Sequence, residues 1–236
     1  MNILAIESSA HACSVALSKD DKLICELFSD SGLTHSRTLM KMVDEAFSLT
    51  GWDLSMLDTL AVALGPGSYT GVRIGIACVK GMAHAKKMKC FGISTLESMA
   101  YSALNSDFMI CSVMDARCQQ VYTALFTSTP DGISRYSGDL AIPTEQLVSM
   151  LYEVSREKSI YLVGDGADLL YGQLDSSLKS KTFLAPPHLR MQRAGSLATA
   201  AFNLRDREDL FFSYEDLNPI YLRPSQAERN LKRSQE

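Results

Sequence analysis

Leu64-Gly65-Pro66-Gly67-Ser68-Tyr69-Thr70-Gly71-Val72-Arg73-Ile74-Gly75 is the stretch whose residue types and spacing come nearest to a site. An apolar run feeds a Gly-Pro-Gly turn, and a small-residue helix follows. Backbone N–H groups converge at such a helix start and can hold a phosphate or carboxylate. The spacing departs from the common phosphate loops. A Walker loop needs Lys and then Ser or Thr after its last glycine, and here Val72 and Arg73 follow Gly71. A dinucleotide fingerprint needs glycine three positions after its second one. That position is Thr70, and the glycine arrives one residue later. The alternative is a tight structural turn at Gly65, Pro66 and Gly67 with a close helix–strand contact, and the spacing favours it.

Other chemistry-bearing residues are dispersed. Glu7 and Asp115 each end an apolar run, at Ile3 to Glu7 and Ile110 to Asp115. Ser94-Thr95-Leu96-Glu97 reads as a capping box, with the Ser94 hydroxyl on the Glu97 N–H and the Glu97 carboxylate reaching back. The six cysteines (13, 25, 78, 90, 111, 118) contain no C-x-x-C pair. In sequence His11, His35, His84 and His188 do not cluster with them. They read as reduced core thiols of a cytoplasmic protein, with zinc the weaker alternative.

Composition limits the field. An apolar fraction of 46% over 236 residues describes an ordinary globular chain able to bury a sizeable core. A net charge of −4 argues against a general nucleic-acid surface. The apolar start breaks at Glu7 and lacks a basic leader, so it does not read as a signal peptide. No apolar run approaches the roughly 20 residues of a membrane helix.

The elements that position these residues alternate between strand and helix. Strands are expected at Asn2–Ile6, Cys13–Leu17, Lys22–Phe28 and Thr59–Leu64. A helix capped by Ser36 and stopped by Gly51 places Leu39, Met40, Val43, Ala46 and Phe47 on an apolar face, with Met42 and Leu49 on a second flank. The helix from about Gly71 to Lys87 carries Gly71, Gly75, Cys78 and Gly81 as a stripe of small side chains. Each interior glycine costs about 1 kcal/mol against alanine, so a close neighbour must offset it, either in this chain or on a partner.

After a strand at Phe91–Ile93 and a helix to about Leu104, Asn105-Ser106-Asp107 is the best boundary. The chain then restarts. Ile110–Asp115, Val121–Phe126 and Ile133–Tyr136 repeat the opening order of three strands, the last after the turn Thr129-Pro130-Asp131-Gly132. A helix from Thr144 to Arg156, a strand at Ser159–Val163 ending in Gly164-Asp165-Gly166-Ala167, and a helix from Ala194 to Arg205 complete a second half. The reading is an α/β protein of two related lobes, 1–105 and 106–222, with a basic tail at 223–236 that includes Arg229, Lys232 and Arg233.

In combination, Ile3–Ser9 with Cys13–Leu17, Gly65–Gly75 and Gly92–Leu96 resemble the bacterial TsaB family, also called YeaZ. Asp115-Ala116-Arg117, Val121-Tyr122, Gly164–Ala167 and Pro219–Arg223 extend the likeness along nearly the whole chain. The resemblance implies an actin-like ASKHA (ribonuclease H-like) fold. It implies a part in forming N6-threonylcarbamoyladenosine (t6A) at position 37 of tRNAs that read codons starting with A. In that pathway TsaC makes threonylcarbamoyl-AMP and TsaD transfers the threonylcarbamoyl group. TsaB is TsaD's non-catalytic partner, with the ATPase TsaE as a third member.

Residue by residue, the likeness to the transferase breaks at its metal. TsaD-type proteins carry H-x-x-x-H, and Thr95 and Met99 stand at those positions here. A hydroxyl is a poor ligand and a thioether favours soft metals. His11 and His84 lie elsewhere and do not restore the pair. Glu7-Ser8-Ser9-Ala10 has the acid of an ASKHA phosphate turn but no glycine, and Gly164-Asp165-Gly166 is the nearest adenosine motif.

The expectation is therefore a scaffold that binds no cofactor alone, with ATP and metal on the TsaD and TsaE partners. It would dock a TsaD-like transferase as a heterodimer through Met42, Leu49, Gly71, Arg73, Gly75 and Ile76, or a second copy of itself when that partner is missing. It would meet tRNA through the complex, the basic tail adding to the shared surface. The alternatives are an ASKHA-type ATPase or phosphotransferase and, less favoured, a metallopeptidase-like protein.

Overall fold

A computed structural model describes residues 1–130 and 132–224. Asp131 and the basic residues Arg229, Lys232 and Arg233 lie outside them.

The first half builds a sheet from β1 (Asn2–Glu7), β2 (Cys13–Lys19) and β3 (Lys22–Ser29), then α1 (His35–Thr50), β4 (Thr59–Ala63), α2 (Tyr69–Lys86), β5 (Cys90–Ile93) and α3 (Thr95–Ala100). β1–β2–β3 is an antiparallel meander, and β4 and β5 add in parallel on the far side of β1. β1 alternates strictly. Leu4 and Ile6 join α1 and α2 in one core, while Ile3 and Ala5 enter another on the opposite face.

The second half repeats this order. β6 (Met109–Asp115), β7 (Gln120–Thr129) and β8 (Gly132–Arg135) form the meander. A short β9 (Leu140–Pro143), which the sequence pattern did not mark, pairs with β7. Then come α4 (Thr144–Val154), β10 (Ile160–Val163), α5 (Ala167–Gln173), α6 (Ser176–Lys179), β11 (Thr182–Leu184) and α7 (Pro187–Arg190). β10 and β11 lie parallel to β6. The sheet orders β5-β4-β1-β2-β3 and β11-β10-β6-β7-β8 correspond strand for strand.

The lobes are not divided as the sequence reading placed them. α8 (Ala194–Asn203) packs on β1 and β2, and β12 (Phe211–Phe212) adds antiparallel to β5. Residues from Ala194 onward thus return to the first sheet, although they fall within 106–222. Their alanines explain the return, because Ala194, Ala198 and Ala201 let α8 lie close against Ile3, Ala5 and Ala16. A clasp completes it. Glu26 on β3 accepts from both Arg193 Nη2 (2.8 Å) and the Gly195 N–H (2.9 Å).

Three local expectations change. α1 starts at His35 with Thr34 as its N-cap, so Ser36 lies inside the helix. α2 starts at Tyr69, two residues before Gly71, because Ser68 is the cap and its hydroxyl accepts from the Gly71 N–H at 3.2 Å. The capping box at Ser94 is half made. Ser94 accepts from the Leu96 and Glu97 N–H groups, but the Glu97 carboxylate turns to the Arg135 guanidinium instead. A charge-assisted partner outcompetes a backbone N–H.

Candidate functional site

The C-terminal ends of β1, β4 and β6 converge on a cleft of about 920 Å³ between the two sheets. Just past β1, Ser9 and Ala10 line it, and the preceding Glu7 and Ser8 are buried. The Glu7 carboxylate is fully buried and accepts from the Ser9 N–H at 2.7 Å through Oε1. Oε2 and the Ser9 hydroxyl have no partner among the described residues. Burial pushes the Glu7 carboxyl above the ordinary glutamate range, against the Ser9 hydrogen bonds that pull it down.

The glycine loop lies against Ser8 and Ser9. Ser68 N–H donates to Ser9 O at 2.6 Å, and a Cβ on Gly67 would stand 2.2 Å from that oxygen. Ser8 Oγ donates to Gly71 O at 2.9 Å. The loop's N–H groups at Ser68 and Gly71 are thus spent inside the chain.

A strap from the end of the chain closes over the start of α2. Ile220 N–H donates to Leu64 O at 2.7 Å, Tyr221 stacks on Tyr69 with centroids 4.7 Å apart, and Arg73 Nε donates to Tyr221 OH at 2.7 Å. Arg223 Nη1 then reaches Ala116 O of the second lobe at 2.9 Å.

The second lobe supplies the facing wall. Asp115 Oδ1 accepts from the Arg117 N–H at 2.7 Å. Burial raises the Asp165 carboxyl, which accepts from Gln192 Nε2 at 2.8 Å. A Cβ on Gly164 would meet Val113 O at 2.0 Å, so this glycine turn presses on β6 as the first presses on the end of β1.

The residues expected at a partner surface separate. Gly71, Gly75 and Ile76 are buried. A Cβ on Gly75 would stand 2.4 Å from Ser8 Oγ, so the close neighbour that these glycines admit is this chain's own β1 end, not a partner. Arg73 is exposed but engaged with Tyr69 and Tyr221. Leu49 is 62% exposed, and Met42 is half-buried beside the first core. The outward face of α2 instead carries Thr70, Ala77 and Gly81, while Ile74 on the same line is half-buried against the first core. Gly81 has open space around it. Of the small-residue stripe expected on α2, Gly81 alone is exposed, and Thr70 and Ala77, each one position before a buried or half-buried member, were not singled out.

Histidine and cysteine also meet where sequence spacing kept them apart. His35 lies against Cys13, with Nε2 on Ala10 O at 2.8 Å. The thiol's hydrogen bonding raises His35. Burial drives the Cys13 thiol up, but His35 and Thr38 outweigh it and hold the thiol below its usual value. Thr95 and Met99 are buried between the lobes. Among the described residues no three His, Cys, Asp or Glu side chains converge as a metal site.

The family description TsaD: tRNA N6-adenosine threonylcarbamoyltransferase matches residues 30–228. The tRNA threonylcarbamoyladenosine biosynthesis protein TsaB of Bacillus subtilis is 29% identical over 235 residues, covering 100% of both chains. Its Escherichia coli namesake is 36% identical over 135 residues, covering 56% of this chain and 58% of that one. YeaZ from Pseudomonas aeruginosa superposes with a TM-score of 0.77 at 22% identity, covering 94% of this chain and 99% of that one. The duplicated sheets are those of the actin-like ASKHA fold. The chain therefore belongs to the TsaD family, in its TsaB (YeaZ) branch.

Proposed function

We propose that this chain is a non-catalytic subunit in t6A formation on tRNA, docking a TsaD-like transferase through the outer flank of α1 and α2. The observations that carry the docking surface are the exposed Thr70, Ala77 and Gly81 on α2 and the exposed Leu49 on α1, two helices that pack together with Met42 half-buried on α1. Small side chains there leave room for a partner's helices, and Leu49 is an apolar side chain left in water. The likeness to TsaB proteins supports the pathway. Loss of the H-x-x-x-H pair at Thr95 and Met99 supports a helper role, with metal and ATP held by the TsaD-like and TsaE-like partners. tRNA would be met through the complex, in the cytoplasm. Among the described residues no helix is long and apolar enough to cross a membrane.

The test is reconstituted threonylcarbamoyl transfer with and without this chain, together with co-purification of the transferase. Gly81→Leu and Leu49→Asp should fold normally and lose the partner. Full binding by both variants would sink the docking surface, and transfer by this chain alone would sink the helper role.

The interlobe cleft favours one rival, an ASKHA-type ATPase. That reading requires the isolated chain to bind ATP·Mg, which calorimetry decides.

A further inference from the structure

The last described stretch of the chain runs along α2 in the reverse direction. Tyr214 meets the His84 ring edge-on with centroids 5.1 Å apart, Lys80 Nζ donates to Glu215 O at 3.1 Å, and Arg73 Nε donates to Tyr221 OH. α1 packs against the other side of α2, over β2 and β3, whereas β12 extends the sheet beyond β5. Between these two borders Thr70, Arg73, Ala77, Gly81 and His84 follow one exposed line, at i, i+3, i+7, i+11 and i+14. Arg73 therefore stands in line with the small residues of the proposed docking flank.

Its guanidinium is held in one attitude by neutral groups. It lies over the Tyr69 ring at 4.0 Å, Nε is bound to the Tyr221 hydroxyl at 2.7 Å, and Tyr221 is itself stacked on Tyr69. Both rings are more than one-third exposed. Arg135, Arg190, Arg193 and Arg207 each pair with a carboxylate of this chain. Among the described residues Arg73 has no carboxylate partner, and neither of its terminal nitrogens has an acceptor. A guanidinium fixed through Nε with its two terminal nitrogens open is preorganised for a carboxylate bound side by side. Tyr and Arg are also the residue types that dominate binding energy at protein interfaces.

We propose that Tyr69, Arg73 and Tyr221 form the anchor of the docking flank, with Arg73 receiving an aspartate or glutamate carboxylate from the transferase partner. The proposal rests on that partner docking along α1 and α2. Charge complementarity names the occupant. The cluster offers two aromatic surfaces around one uncompensated cation, which a partner helix bearing an acid among apolar side chains would match. Arg73 makes the contact, and Tyr221 is a positioning residue. Its hydroxyl holds Nε and so turns the terminal nitrogens outward to the partner.

The test is calorimetric titration of the transferase into the full-length chain at several salt concentrations. Arg73→Gln, at an exposed position, should fold as the parent does. It should weaken binding at least about tenfold and flatten its salt dependence. Arg73→Lys keeps the charge without the fork and should recover only part of the loss. Tyr221→Phe keeps the ring and removes the acceptor. It should weaken binding by the parent and change nothing further in the Arg73→Gln chain. Parental affinity and salt slope in Arg73→Gln, with binding still lost in Leu49→Asp, would overturn the anchor and leave the flank standing. Loss in Arg73→Gln with full binding by Leu49→Asp and Gly81→Leu would uphold the carboxylate contact and remove the flank. A parent chain that does not bind the transferase would overturn both. An effect of Arg73→Gln on tRNA association alone would show the guanidinium facing a phosphate, and the anchor would again be overturned.

Discussion

Ser8 and Gly71 are joined from two sides. The Ser8 hydroxyl donates to the Gly71 carbonyl at 2.9 Å, and a methyl group on Gly71 would lie 2.1 Å from the Ser8 carbonyl oxygen. The first turns of α2 are thereby seated on the end of β1 with no space for a side chain. Gly71→Ala should destabilise the fold by about 1–3 kcal/mol through overpacking. Gly81→Ala, in open space on the same helix, should stabilise it by about 0.5–1 kcal/mol. Urea unfolding of the two variants checks both signs.

Glu26 and Arg193 hold α8 to the first sheet, with side chains only 11% and 19% exposed. Glu26→Ala leaves the Gly195 N–H without its acceptor and Arg193 with only the His188 carbonyl and the Phe28 ring. A loss of about 1–3 kcal/mol is expected, read by denaturant midpoint. Replacing both by apolar residues of similar size should recover much of it.

Glu7 gives the fold a pH dependence of definite sign. Its carboxyl is raised in the folded chain by burial. The folded state therefore binds this proton more tightly than the unfolded state does. Stability contributed by Glu7 is intact below its unfolded value near 4.5 and is lost as pH rises through the raised folded value. Glu7→Gln keeps an acceptor for the Ser9 N–H and carries no charge. It should be more stable than the parent at neutral pH, with the advantage vanishing at acid pH. Melting temperatures across pH decide it.

Thiol labelling should sort the cysteines. Cys118 is exposed, whereas burial pushes Cys90 up to about 11 and Cys111 up to about 12. A thiol reagent at neutral pH should modify Cys118 fast and leave Cys90 and Cys111 untouched until the chain unfolds. Cys118→Ser should abolish the fast phase, as mass spectrometry would show.

The strand–helix alternation was legible because each element carries its own local signal. Ile3–Ile6 alternates between two cores, Gly51 ends α1, and the restart at Ile110 repeats the opening strands. What was not legible depends on distant contacts. The return of α8 to the first sheet rests on Glu26 meeting Arg193 across 167 positions. Glu97 leaves its capping box only because β8 brings Arg135 beside it. The glycines of α2 did announce a close neighbour, but helical spacing cannot say which one. The answer, Ser8, is 63 positions upstream. His35 and Cys13 escaped notice because β3 separates them in the chain.

The strap at the end of the described chain sets how far the lobes can part. Ile220 is anchored to Leu64 in one lobe and Arg223 to Ala116 in the other. Three steps of backbone, spanning at most about 10 Å, and the Arg223 side chain make up the whole tether. Rotation of Ala116 away from Leu64 must break one anchor or unstack Tyr221 from Tyr69. The strap therefore links the two lobes beside the cleft at a point where neither sheet does. Each link that limits lobe rotation before an associate arrives lessens the freedom forfeited in capturing it.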